Sequence, residues 1–551
     1  MDSQTPTTSE SSPSPPPPPL SASLSTASSP PEASSVLAPS HHAVEGKALP
    51  PWYPHFRGRP LYHGNREACA WALDGIGRAV SFIGSGAFLG TALLRIATEA
   101  AGCLTEAPEG ETEIPECNER IYGIRPSSLL TTYTMVMGVA SASALPLIGA
   151  IVDYTKHRLL VGRITSAIFC LLLFPQLFIS EDTWLAIACV QIVISLVGWL
   201  QTSITYAYLP ELTPDELRLN DYTRNFTVTS FLSMVIYLAV VIVGVQLVGL
   251  GDDDVATARI GTAVALVVNA VLLYAAWGVL FQPRPALHTL EEGRSIWTAG
   301  FVELWSTINR IAKNQRALRW FYIGVAFSDA SIQALATIAI TYMTDTLQFS
   351  GQENGIAILC MLLGSVPGGM LSNKVTVLTD PFRSSMASLL VLIVATILFA
   401  VFLSGPGQQT ETYFLALIWG IGTGWKWTCD RFIASSIIPP GRDAEMMSFF
   451  LFSGQVFSWV PPLIFTAMNE AGISQQISLG GLAVYFCFSL GAYIVAGDYE
   501  TARKEVDRDS AFGSSSTPNT ATNNGNNPAA AVKNTENESQ PSTTQFDVPP
   551  A

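Results

Sequence analysis

The sequence predicts an all-α membrane protein of twelve transmembrane helices, built as two six-helix halves. Three observations carry that reading. Of 551 residues, 49% are hydrophobic and only 13% charged, about half the charged share of an ordinary soluble domain. Apolar stretches long enough to cross a bilayer recur along the chain. A bilayer core offers backbone groups no partner, so runs of about 20 apolar residues must be helical there. The basic residues of the connecting loops also alternate by side, as a chain crossing twelve times requires.

The predicted helices cover 70–97, 127–152, 159–179, 184–208, 226–250, 260–281, 319–344, 353–372, 384–404, 412–433, 446–468 and 477–497. Two tails flank them. Residues 1–65 begin in a Pro/Ser/Thr-rich stretch with a proline run from Pro15 to Pro19, and residues 501–551 are rich in Asn, Thr, Ser and Pro. Neither composition holds enough apolar surface to offset chain entropy, so both are expected to be disordered. No apolar run follows a basic start at the N-terminus. The first helix is therefore expected to serve as the insertion signal.

Loops after helices 2, 4, 6, 8 and 10 carry fourteen basic residues: Lys156, Arg158, Arg163, Arg218, Arg224, Arg284, Arg294, Arg310, Lys313, Arg316, Arg319, Lys374, Arg383 and Arg442. The odd-numbered loops carry three: Arg120, Arg125 and Arg259. The bias predicts that the even loops and both tails lie in the cytosol. The first odd loop holds seven glutamates between Glu99 and Glu119, together with Cys103 and Cys117. On an oxidising side that pair is expected to form a disulfide, worth about 3 kcal/mol in the chain-entropy model. Two free thiols in a flexible loop are the alternative.

The long even loop, 282–318, separates the halves. In it Phe301, Leu304, Trp305, Ile308 and Ile311 recur at helical spacing. That pattern reads as an amphipathic helix, lying along the membrane surface or packed against the protein body. The halves repeat each other. Helix 2 ends in Pro146-Leu-Ile-Gly149-Ala-Ile-Val-Asp153 and helix 8 in Pro367-Gly-Gly369-Met-Leu-Ser-Asn373. Helices 4 and 10 share the pairs Gly198-Trp199 and Gly424-Trp425, followed by Thr202 and Thr428. Internal repeats of this kind are a transporter trait, because alternating access rocks one half against the other.

Gly149, Asp153 and Arg158 resemble the signature after helix 2 of the major facilitator superfamily, although Tyr154, Lys156 and His157 depart from it. The resemblance implies a cytosolic gate in which Asp153 takes part, with Gly369 and Asn373 as the counterparts in the second half. A closer resemblance spans roughly 66–500. It rests on Leu145 to Tyr154, Tyr206-Ala-Tyr-Leu-Pro-Glu-Leu212, Trp320-Phe321 leading to Phe327-Ser-Asp329, and Asp430-Arg431 leading to Ile438-Pro-Pro-Gly441 and Glu445. Together these are similar to the vacuolar amino-acid effluxers linked to autophagy. The resemblance implies export of amino acids from the vacuole lumen, through a vacuole membrane in which both termini are cytosolic.

Charges within the predicted spans are the candidate site, since each costs roughly 2.5–3.5 kcal/mol near the bilayer centre. Helix 1 has Asp74, Arg78 and Arg95, helix 7 has Asp329, and helix 10 has Lys426, Asp430 and Arg431; helix 4 adds Gln191 and Gln201. In the superfamily fold, helices 1, 4, 7 and 10 line the central cavity. A zwitterionic amino acid needs a cation for its carboxylate and an anion for its ammonium. Arg78 or Lys426 is a candidate for the first and Asp329 for the second, with a proton as a possible coupling ion. The alternatives are that Asp329 is fixed in an ion pair with Arg78 or Lys426, and that Asp74 pairs with Arg78 one turn away. Arg95 and Arg431 sit near helix ends, where they can snorkel to the headgroups.

Nothing points to an enzyme. The chain lacks a P-loop, and all six His lie outside the predicted spans, so no cofactor or metal is implied. No basic cluster is interleaved with aromatics, so nucleic acid is not an expected partner. A small-molecule substrate and the lipid bilayer are. A transporter of another small solute at the plasma membrane, or a non-transporting receptor on the same fold, are the other readings.

Overall fold

The computed structural model describes residues 49–56, 59–103, 117–213, 216–251, 253–286, 295–437 and 443–515. Among them, eleven helices are long and apolar enough to cross a membrane. These are α1 (Arg66–Ala100), α2 (Pro126–Val152), α3 (Arg158–Phe178), α4 (Trp184–Tyr206), α5 (Asn225–Val248) and α6 (Asp254–Leu280) in the first half. The second half holds α7 (Arg316–Asp345), α8 (Gly351–Leu378), α9 (Pro381–Phe402), α11 (Met446–Glu470) and α12 (Gln475–Ala496). The twelfth, α10 (Gln409–Ser436), has the length at 28 residues. Its hydropathy is lowered by Lys426, Asp430 and Arg431, the residues that make it interesting.

The helices start where the sequence supplies caps. Asn65 accepts from the N–H groups of Glu67 and Ala68 at the head of α1. Asp253 caps α6 through Ala256 N–H, six residues ahead of the expected start at 260. Ser350 and Glu353 form a reciprocal capping box on α8, and Asp380 caps α9 ahead of Pro381. Each satisfies N–H groups that the first turn leaves without a partner. Leu171 on α3, Val271 on α6, Val401 on α9 and Phe488 on α12 are exposed. Apolar side chains there belong against lipid, which fits the lack of interior charge on those four helices.

Glycines let the helices approach closely. On α1, a Cβ at Gly75 would stand 2.1 Å from the Phe226 ring and one at Gly84 would stand 2.2 Å from the Tyr237 hydroxyl. Gly75 and Gly84 therefore serve contact with α5, while Gly77 meets Asn269 of α6. Between α8 and α10, a Cβ at Gly420 would fall 1.9 Å from the Met361 carbonyl.

Order extends into both expected tails. His55–Phe56 pairs antiparallel with Arg59–Pro60. Tyr53 is buried and donates to the carbonyls of Leu61 (2.8 Å) and Asn65 (3.0 Å). After α12, the helix Tyr499–Ser515 buries Ala502 and Val506, one turn apart. Glu505 on it accepts from Ala317 N–H at the head of α7. The helix Ile296–Asn314 in the long loop packs against the protein body. It buries Ala299, Gly300, Thr307 and Ile311, with Gly300 set against the Pro146 carbonyl of α2, and leaves Trp297, Phe301, Val302 and Trp305 exposed.

Candidate functional site

Three polar centres lie within the spans. The first is Asp74 on α1, fully buried. Its Oδ2 accepts from Arg78 Nε and Thr205 Oγ1, and its Oδ1 from Gln201 Nε2 and Trp277 Nε1, all at 2.8 Å. Arg78 continues to Thr202 Oγ1, and Thr165 donates to Gln201 Oε1. One carboxylate thus gathers α1, α3, α4 and α6. Arg78 and Asp74 are paired along their own helix, and the Arg78 Nη2 is left without a partner.

The second centre is Lys426 with Asp430 on α10, again one turn apart and buried. Lys426 also donates to the Tyr493 hydroxyl (3.0 Å) and lies 4.6 Å from that ring's centre. Asp430 Oδ1 accepts from Tyr493 (2.6 Å) and Ser385 (2.9 Å). This network joins α9, α10 and α12. Neither Arg78 nor Lys426 is ion-paired with Asp329; each has an acid on its own helix. Arg431, near the end of α10, crosses to Thr227 on α5 at 3.0 Å.

The third centre is Asp329 on α7, near mid-span. Its Oδ2 points at α11, where a Cβ on Gly454 would stand 2.7 Å away, and its Oδ1 is buried without a hydrogen bond. One turn on, Gln333 Nε2 donates to Gly454 O and its Oε1 accepts from Gln455 Nε2, both at 3.1 Å. The sequence reading weighed charges and the α4 glutamines and so passed over Gln333 and Gln455. Proline was the available signal: Pro461-Pro462 interrupts α11 between Val456 and Val460.

The gate residues separate. Gly149 lines a cavity of about 80 Å³ with Leu145, Pro146, Ser203, Ser448 and Phe452, floored by Gly300 and Thr307 of the loop helix. Gly369 faces Thr428 on α10. Arg158 is fully buried and pairs with Glu211 at 2.9 Å. Glu211 also holds Arg284 at 3.1 Å, and Arg284 reaches Glu67. Burial disfavours the Arg284 cation, but Glu67 and Glu211 outweigh it and raise that group above its ordinary range. Asp153 and Asn373 lie near the ends of their helices, and their side chains fall outside the described residues.

At the opposite, odd-loop face the halves are tied together. Arg95 on α1 pairs with Asp254 on α6 at 2.6 Å, and Asp254 Oδ1 accepts from Gly351 N–H of α8 at 2.6 Å. Asn354 of α8 donates to Thr91 of α1 (2.9 Å), Thr131 of α2 meets Thr466 of α11 (2.7 Å), and Asn469 reaches Ser128 (2.8 Å). Arg95, expected to snorkel, is a strut of this seal. Beside it, Cys103 and Cys117 stand joined, with Cα atoms 5.6 Å apart; residues 104–116 lie outside the described ones. Among the described residues no group of His, Cys, Asp and Glu is placed to hold a metal.

Two six-helix halves, bonded to each other across one face and polar at mid-span, have the architecture of the major facilitator fold. Solved structures share this fold. A D-xylose–proton symporter superposes with a TM-score of 0.53 at 13% identity, over 79% of this chain and 96% of the other. The nucleoside transporter NupG gives 0.51 at 15% identity, over 78% and 99%. A peptide transporter, POT, in complex with sulfate gives 0.51 at 14% identity, over 81% and 96%. No curated protein matches the sequence. The family described as vacuole effluxer Atg22 like matches residues 63–507, and the chain belongs to it.

Proposed function

We propose that this transporter exports amino acids from the vacuole lumen to the cytosol by alternating access, and so returns the products of autophagic breakdown. The family's description as vacuole effluxers supports the organelle and the direction. The observation that carries the substrate class is one unfilled polar atom of each kind, a donor in the first half and an acceptor in the second. Arg78 Nη2 is a buried cationic donor and Asp329 Oδ1 a buried anionic acceptor, and neither has a partner. A buried polar atom without a partner costs free energy that a bound ligand can return, and a zwitterion carries both complements. The seal at the odd-loop face and the cavity between α2, α4 and α11 at the other agree with a state facing the cytosol, with the even loops placed there by their basic residues. In the same reading, Asp329 is the group through which a proton gradient couples to transport.

The test is counterflow of labelled amino acids in proteoliposomes holding the purified protein. Accumulation of label that unlabelled amino acids drive, and that nucleosides and sugars do not, is the expected result. No counterflow with any amino acid, in liposomes where the protein is folded, would refute the substrate class.

A further inference from the structure

The interruption of α11 has a chemical character of its own. In a continuous helix the carbonyls of Phe457 and Ser458 would accept from residues 461 and 462, but these are Pro461 and Pro462 and have no N–H. Three donors beside the break are already used: Ser458 N–H on Gln455 O (3.0 Å), Val460 N–H on Phe457 O (3.0 Å) and Leu463 N–H on Trp459 O (3.2 Å). The Trp459 indole donates to Val456 O at 3.0 Å. Phe457 O is answered by Val460 N–H, and Ser458 O is left without the donor a continuous helix would supply.

The side chains around it have the same polarity. Gly454 O can only accept, so Gln333 must turn its amide nitrogen to it. That leaves Gln333 Oε1 to accept from Gln455 Nε2. The amide orientation of Gln455 follows from the chain of bonds, and its Oε1 is left free, buried and unpartnered. Gln455 and Ser458 are 2% and 3% exposed, and the Ser458 hydroxyl is also without a partner. With Asp329 Oδ1, two α11 side chains and one on α7 offer unfilled oxygens around the break.

We propose that the α11 break, with Asp329 of α7, is a binding site for a cationic group, and that the group is the ammonium of the transported amino acid. An ammonium brings three donors and a positive charge, which answers the carboxylate, the amide oxygen and the hydroxyl together. Its entry is from the cavity below, whose wall runs along α11 through Ser448 and Phe452, less than one turn from Gln455. The assignment rests on the amino-acid reading above, and a free metal cation such as Na⁺ would use the same oxygens.

The experiment is ligand-induced thermal stabilisation of the purified full chain, with leucine, N-acetyl-leucine, or NaCl against choline chloride. Three variants are compared with wild type: Asp329→Asn, Gln455→Leu and Ser458→Ala. The last removes a hydroxyl that holds no bond, so its fold is expected to be retained. Stabilisation by leucine and not by N-acetyl-leucine, with affinity reduced at least tenfold in Gln455→Leu and severalfold in Ser458→Ala, supports the site. Leucine affinity unchanged in all three variants overturns the site and leaves the transport reading standing. Stabilisation by Na⁺ alone that Gln455→Leu removes overturns the ammonium assignment. If nothing stabilises wild type while counterflow proceeds, the site is again overturned.

Discussion

Replacing Asp74 with alanine should unfold the first half rather than merely empty a binding site. The carboxylate takes four hydrogen bonds, one from a cation and three from neutral donors on α4 and α6. Removing one partner of a buried ion pair costs about 3–5 kcal/mol. Three stranded neutral donors add roughly 0.6 kcal/mol each on the scale measured within membranes. At about 2–4 °C per kcal/mol for a unit of this size, the melting temperature in detergent should fall by about 10 °C or more. Removing the stranded cation as well, in Asp74→Ala with Arg78→Met, should recover part of that loss, because the two sites share one network. The assay is thermal unfolding followed by size-exclusion of the surviving monomer, with counterflow measured in parallel. If Asp74→Ala melts within about 2 °C of wild type and yet transports nothing, Asp74 serves the substrate and the architectural argument is wrong.

The same logic applies to α10: Lys426→Met or Asp430→Leu alone should sharply reduce folded yield, and the double variant should be recovered better than either single one, read by size-exclusion profile. Removing the Asp254 carboxylate frees both Arg95 and the α8 N-terminus; Asp254→Ala should raise thiol-reagent access to a cysteine placed at Thr134, between the halves on α2, and unchanged labelling would count against Asp254 as a seal. Cys103 and Cys117 should resist maleimide until reduced, and Cys103→Ser should make the remaining thiol at 117 label at once; labelling of both in the unreduced protein would contradict the bond.

Most of the fold was legible because a bilayer turns composition into geometry. A span must be apolar, helical and about 20 residues long, so eleven of the twelve can be located by hydropathy alone. The twelfth was read as an apolar run as well, with the alternation of loop charges as a check on the count, although Lys426, Asp430 and Arg431 depress its hydropathy. The candidate site was legible only as a set of expensive residues, not as a set of pairs. One-turn spacing marked Asp74 with Arg78, while Lys426 was matched with Asp329 and not with Asp430 on its own helix, and the third-party donors decide whether such a pair is complete. Gln201, Thr205 and Trp277 come from elements 127 to 203 residues away. Neutral residues such as Gln333 and Gln455 carry no insertion penalty large enough to stand out. Their meaning came from a backbone break whose only sign in the sequence was Pro461-Pro462.

The three polar centres differ in completeness, and that difference divides architecture from transport. Asp74 and the Lys426–Asp430 pair are saturated by partners within their own half. Such networks tie helices to one another so that a half can move as one piece, and at the first of them only Arg78 Nη2 is left open to a ligand. Asp329 is not saturated, and its neighbour across the gap is a helix interrupted at the same depth. The contacts between halves are of another kind again. At the odd-loop face they are short neutral bonds, a carboxylate on a helix N-terminus as Asp254 is on α8, or a half-exposed ion pair such as Arg120 with Glu470 (3.0 Å), and each costs little to exchange for water at the membrane surface. A carrier needs that arrangement. Bonds inside each half must survive the cycle, bonds across the seal must break within it, and only an incomplete site between them lets the substrate decide which way the balance falls.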